Sequence, residues 1–143
     1  MFNKQNLFHG IEAMLDIAYH GRDGKLVRSA EITERAGIDR RALEPVLQKL
    51  VIEGLLTSIR GPNGGYRLTR DRRAISLGKI ISALECPLLL SFKEQDAPGE
   101  LGAIVERALA SVDQATMGLL NTISLGDLCD QVSDAATDTS TTA

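Results

Sequence analysis

The stretch Arg60-Gly61-Pro62-Asn63-Gly64-Gly65-Tyr66-Arg67-Leu68 constrains this chain more than any other. Apolar Leu55, Leu56 and Ile59 enter it and Tyr66 and Leu68 leave it, which predicts a tight β-hairpin with strands over 55–60 and 66–69. Pro62 fixes one backbone angle, and the paired glycines supply positive φ at no steric cost. A turn this short carries almost no side chains at its tip. Its backbone can therefore enter a narrow space, with Arg60 and Arg67 flanking it as positive charge. An ordinary β-turn with exposed arginines has the same letters, so the sequence upstream must decide between the two.

Upstream, Leu7, Ile11, Met14, Leu15 and Ala18 recur at helical spacing and predict an amphipathic helix over 4–20, followed by a loop at 20–24. Ser29 is placed to cap a short helix that ends before Gly37. Asp39 is placed to cap a third helix to about Gly54, with Leu43, Val46, Leu47 and Leu50 facing inward. The short Gly37 joint makes 29–53 a helix-turn-helix pattern, and the hairpin at 55–69 then reads as the wing of a winged-helix DNA-binding domain.

A net charge of −3 argues against a nucleic-acid partner only until it is divided along the chain. Residues 1–85 hold 14 Lys/Arg against 10 Asp/Glu (+4), and residues 86–143 hold 2 against 9 (−7). Phosphate binding depends on the local field, so a basic first half suffices. The densest cluster, Arg60, Arg67, Arg70, Arg72 and Arg73, lies on and just after the hairpin. No apolar run approaches the roughly 18 residues of a membrane span, no secretory signal follows Met1, and two isolated cysteines fit a reducing compartment. These point to a cytoplasmic protein with no membrane partner. No Ser/His/Asp or metal-ligand constellation appears, and Tyr66-Arg67 stand where a phosphate loop needs Lys and Ser/Thr, so an enzyme is excluded.

Downstream, Ser76 is placed to start a helix, with Ile75 and Ile80 as a hydrophobic staple. The same letters recur at Ile123-Ser124-Leu125-Gly126, read here as one capping solution used twice. Between them, 86–99 reads as an irregular loop of the sensor type, and a long helix runs from Glu100 to about Asn121. Its stripe of Leu101, Val105, Leu109 and Val112 is too broad to leave in water and predicts dimerisation. The expected organisation is a DNA-binding domain over 1–85, a dimerisation helix and short final helix over 100–131, and a disordered tail over 132–143. The fold class expected is mainly α with a small β-hairpin wing.

The chain resembles the Rrf2 family of winged-helix transcriptional regulators, and within it the regulators of iron–sulfur cluster assembly. The stretches that carry the likeness are 13–18, 32–38, Leu43-Glu44, Arg60-Gly61-Pro62 with Gly64-Gly65-Tyr66, 75–83 and 119–128. The resemblance implies a homodimer on double-stranded DNA, with recognition helices in successive major grooves of a palindromic operator and wings in the minor groove. The DNA-binding residues it implies are Arg28, Ser29, Arg40, Arg41, Glu44, Gln48, Arg60, Gly61, Pro62, Gly64, Gly65 and Arg67. Arg40 or Arg41 suits guanine and Glu44 suits cytosine, although both arginines also suit phosphate.

Two departures from the family pattern stand out. Many members hold an iron–sulfur cluster through three cysteines ahead of the long helix, where this chain has Cys86 alone. That inventory disfavours a cluster, and no other metal or cofactor is expected. A mixed site using His9, Glu12 or Cys129, or Cys86 as a redox thiol, is the alternative. Pro45 replaces a hydrogen-bonding side chain on the recognition helix and removes a backbone donor, so an irregular first turn is expected there. The remaining alternative in function is a winged helix used as a protein-interaction module, against which the retained arginines argue.

Overall fold

In the computed structural model, residues 3–85 and 99–141 are described, with side chains through Ala136. Helix α1 spans Lys4–His20 and is capped by Asn3, whose side chain accepts from the Asn6 amide while that of Asn6 accepts from the Asn3 amide. It buries Gly10, Ala13, Met14, Ile17 and Ala18 on one i, i+3, i+4 face; of the apolar residues that predicted the helix, Met14 and Ala18 are buried, while Leu7, Ile11 and Leu15 pack half-buried against the core. Helix α2 (Ser29–Ala36) meets helix α3 (Arg40–Ile52) across Gly37, Ile38 and Asp39. Gly37 sits at φ 68°, and its N–H donates to the Thr33 carbonyl, the left-handed close that a side chain would resist. Leu43, Val46, Leu47 and Leu50 of α3 are all buried, as the sequence pattern requires.

One capping expectation is corrected. Arg28, not Ser29, is the residue flanking α2: its backbone is extended, its carbonyl takes the Glu31 and Ile32 amides, and Ser29 is already helical. The Arg28 N–H donates to the Glu31 carboxylate at 3.2 Å, so Glu31 supplies the reciprocal half of the cap from inside the helix.

Strands β1 (Leu56–Ile59) and β2 (Gly65–Leu68) form the hairpin, antiparallel with Leu56 opposite Leu68 and Ile59 opposite Gly65. The sequence did not reveal a third partner: Val27 exchanges both backbone bonds with Tyr66, at 2.9 and 2.7 Å, on the free edge of β2. The segment ahead of α2 is thereby stitched to the hairpin.

Helix α4 (Leu77–Ala83) begins at Ser76, whose hydroxyl accepts from the Lys79 amide, with Ile75 and Ile80 fully buried beside it. Helix α5 spans Glu100–Leu120 and α6 Leu125–Thr141. The repeated Ile-Ser-Leu-Gly letters turn out to pair with each other. The Leu77 amide donates to the Ile123 carbonyl and the Leu125 amide to the Ile75 carbonyl, both at 2.9 Å, so each motif caps its own helix and closes the other's backbone. Ser124 and Asp127 complete the second cap reciprocally, at 3.1 and 2.9 Å.

Two boundary expectations change. Helix α6 continues past Val132 to Thr141, where a disordered tail was expected; Asp134, Ala135 and Ala136 extend the helix without Gly or Pro to stop it. Nor does a unit over 1–85 stand alone. Helix α6 packs against α1, and its Leu125 and Cys129, both fully buried, belong to the same core as Met14, Ile32, Leu47 and Leu56. Arg73 reinforces that closure by donating to both carboxylate oxygens of Asp130 at 3.0 and 3.1 Å.

Candidate nucleic-acid interface

The first turn of α3 is built outward from its cap. The Asp39 carboxylate accepts the Arg41 amide at 3.1 Å, and the Asp39 carbonyl takes the Ala42 and Leu43 amides. This fixes the start of the helix while leaving the Arg40 and Arg41 side chains exposed. Gln48, two turns beyond Arg40, is also exposed, and Arg40, Glu44 and Gln48 follow one another at i, i+4 and i+8 on one face. Arg40 donates through Nε to Glu44 at 2.9 Å. The pair is exposed, so it orients the guanidinium more than it stabilises the helix.

The helix runs unbroken through Pro45, contrary to the expected irregular first turn. Pro45 lies on the exposed side, and the Arg41 carbonyl it leaves without its intrahelical donor sits near the helix start, within reach of water.

The wing tip spans Arg60 to Gly64, closed by the Gly64 amide donating to the Gly61 carbonyl at 3.0 Å. Of the paired glycines expected to supply positive φ, Gly65 does so at 157°, as does Gly61 at 118°, whereas Gly64 does not and is needed for space. A Cβ on Gly64 would lie 2.1 Å from the Ile59 carbonyl oxygen, and one on Gly65 2.8 Å from that of Val27. Around these backbone contacts Arg60, Pro62, Asn63 and Arg67 are exposed.

Sequence reasoning did not find the contact that locates the wing. The Arg28 guanidinium donates through Nη2 to the Pro62 carbonyl, joining the start of α2 to the wing tip across 34 residues of sequence. Together with the Val27–Tyr66 bonds, it sets the hairpin at a fixed position relative to the helix-turn-helix. Behind the surface, Arg35 of α2 grips Asp16 of α1 in a two-pronged pair at 2.8 and 2.9 Å. No spacing rule links residues so far apart. The Arg28 N–H bond is the main reason the Glu31 carboxyl is held below the usual carboxylate range, helped by Arg35.

The basic cluster that the sequence groups together is divided in space. Arg60 flanks the wing tip and Arg73 is committed to α6, while Arg67, Arg70 and Arg72 line a pocket at the root of the hairpin. The candidate ligand residues also scatter. Cys129 is fully buried in the core, His9 is half-buried on α1 with Phe8 beside it largely exposed, and Cys86 lies outside the described residues. Among the described residues, no group of three or more His, Cys, Asp or Glu side chains is placed to hold a metal. None of the described helices is long and apolar enough to cross a membrane.

A helix-turn-helix followed by a hairpin fixed beside it defines a winged-helix protein. The profile of the Rrf2 family, described as iron-dependent transcriptional regulators, matches residues 4–131, and the chain belongs to that family. It is 35% identical over 122 residues to the HTH-type transcriptional regulator IscR of Photobacterium profundum, covering 84% of this chain and 70% of that one. With IscR of Yersinia enterocolitica the identity is 44% over 77 residues, 54% of this chain and 46% of that one. Among solved structures, T. potens IscR superposes with a TM-score of 0.72 at 27% identity, covering 94% of this chain and 90% of that chain. Staphylococcus aureus CymR superposes with a TM-score of 0.69 at 25% identity, covering 88% and 96%. The protein is a DNA-binding transcriptional regulator and not an enzyme.

Proposed function

We propose that the protein acts as a homodimer on a palindromic operator, with two α3 helices in successive major grooves and two wings in the minor groove. The observation that carries this reading is the Arg28–Pro62 bond, which holds the wing beside the helix-turn-helix while Arg41, Arg60 and Arg67 stay exposed. In it, Arg41 meets a base edge, Arg40 is aimed by Glu44, and Gln48 extends the reading by one turn. Arg60 flanks the backbone of Gly61, Pro62, Gly64 and Gly65 at the minor groove, where a narrow A·T tract concentrates negative potential, and Arg67 lies further along β2 toward the root of the hairpin. Arg28 and Ser29 lie at the phosphate side, with Arg28 already holding the wing.

Dimerisation is supported by α5, which has no buried residue in one copy: Leu101 is 79% and Leu119 69% exposed, with Val105 and Val112 exposed between them and Leu109 half-buried. So much apolar surface on one helix points to a matching helix from a second copy.

The reading includes no iron–sulfur cluster. Such a cluster takes about four ligands, mostly thiolates, and the chain has two cysteines, one of them sealed in the core by the packing of α6 on α1. The donor set does not fit the group, and regulation is assigned to another signal.

Binding-site selection on Arg41→Ala and Arg60→Ala, with affinities at several salt concentrations, tests the reading. Arg41→Ala is expected to flatten one column of the motif symmetrically in both half-sites, at a cost of about 1–3 kcal/mol. Arg60→Ala is expected to weaken all sequences alike and to lower the salt slope by about one unit. An Arg41→Ala motif identical to wild type would move base reading to Arg40, Glu44 or Gln48.

A further inference from the structure

At the root of the hairpin, the end of α1 and the turn after it face the segment that follows β2 across a pocket of about 430 Å³. That volume falls in the range that takes a small-molecule ligand. Four arginines line it: Arg22 from the turn after α1, Arg67 from β2, and Arg70 and Arg72 from beyond it. Two carboxylates, Asp23 and Asp71, line it as well, which leaves an excess of two positive charges.

The convergence of these groups is what singles the pocket out. Arg35 is paired with Asp16, Arg40 with Glu44 and Arg73 with Asp130, and Arg28 donates to the Pro62 carbonyl; Arg41 and Arg60 stand apart on the surface, whereas the pocket gathers four arginines around one cavity. Among the described residues, none of the four pocket arginines makes an ion pair. Arg22 lies over the Tyr19 ring at 5.0 Å, and Asp71 spends one oxygen on the Arg73 amide. Arg72 is half-buried, and its Nη1 is fully buried with no hydrogen-bond partner. A buried guanidinium donor without an acceptor is a cost a fold rarely carries without use, and like charges around one cavity repel until an anion enters. Guanidinium groups also match the planar fork of carboxylate and phosphate oxygens.

We propose that this pocket binds a small polyanionic metabolite bearing phosphate or carboxylate groups. It lies toward the root of the hairpin, lined by Arg67 and Leu68 at the far end of β2, whereas the wing tip closes at Gly64 just before that strand begins. Because Val27 and Arg28 continue from the same turn to hold β2 and Pro62, an anion drawing the turn toward Arg70 and Arg72 bears on the seat of the wing.

The test needs no DNA, so it is independent of the proposed function. Pyrophosphate, inorganic phosphate and citrate are titrated into the full chain by calorimetry and thermal unfolding, with sodium chloride at matched ionic strength as the control. Saturable binding of pyrophosphate or citrate with a rise in Tm is expected, and the stronger of the two tells phosphate from carboxylate recognition. Arg22→Gln and Arg70→Gln, both at exposed positions, should each weaken binding about tenfold or more, and Arg41→Ala, outside the pocket, should leave it unchanged. Stabilisation that chloride reproduces, or that both pocket variants retain, overturns the proposal. It is equally overturned if no anion binds and the two pocket variants instead lower the salt slope of DNA binding, since the arginines then grip the duplex.

Discussion

Gly64→Ala is the perturbation that tests the wing most directly. The new methyl carbon would lie 2.1 Å from the Ile59 carbonyl oxygen and 3.0 Å from both the Arg60 carbonyl carbon and the Gly61 carbonyl oxygen. All three are backbone atoms, so no side chain can swing aside. The tip must open, which breaks the Gly64–Gly61 bond and loosens the Ile59–Gly65 end of the ladder and the Arg28–Pro62 contact. Each exposed bond contributes about 0.5–1.5 kcal/mol net, so the loss in global stability should be about 1–3 kcal/mol. The Leu56–Leu68 end of the hairpin and the Val27–Tyr66 bonds lie beyond the damage, and the domain should stay folded. Asn63→Ala, at an exposed neighbouring position, serves as the control and should stay within about 0.5 kcal/mol of wild type. Urea unfolding gives the stability, amide exchange at Gly64 against Tyr66 locates the opening, and a gel shift reads the DNA affinity, which should fall. A Gly64→Ala protein with wild-type stability and wild-type affinity would refute both the steric argument and the role of the wing.

Leu109→Glu places a charge in the apolar stripe of α5; desolvating it in a paired-helix seam costs several kcal/mol, and light scattering should show a dimer become a monomer. A monomeric wild type, or a mutant that stays dimeric, rejects that seam. Protein purified without oxygen should contain no stoichiometric iron or acid-labile sulfide, and a brown, iron-loaded protein would reinstate Cys86 with Cys129, His9 or Glu12 as ligands. Asp127 is held below its usual range chiefly by the Ser124 backbone bond, and Glu31 chiefly by that of Arg28. Depressed carboxylates lend stability at pH values above their unfolded pKa and lose it as pH falls through the folded one, so both caps should weaken from about pH 4.5 downward. Asp127→Asn and Glu31→Gln should flatten that acid limb of a stability–pH curve, and an unchanged limb would remove the caps from the account.

The linear sequence determined what depends on near neighbours. The helical face of α1, the Gly37 joint, the four inward residues of α3, the staple at Ile75 and Ile80, and the hairpin between Leu56 and Leu68 all follow from periodicity, caps and turn chemistry within a few residues. The Arg-Gly-Pro-x-Gly-Gly-Tyr turn was distinctive enough to indicate the family. Tertiary structure decided everything that joins distant segments: Val27 on the edge of β2, Arg28 on Pro62, Arg35 on Asp16, and the mutual bonding of the two Ile-Ser-Leu-Gly motifs. It also divided one run of arginines into a wing flank, an interhelical tie and a pocket lining, because residues adjacent in a bending chain project toward different neighbours. Such pairings depend on where the core brings backbones together, and no local rule specifies a bond between residues 34 apart. The burial of Cys129 shows the same division: its thiol is visible in the sequence, but the packing of α6 against α1 makes it a core residue.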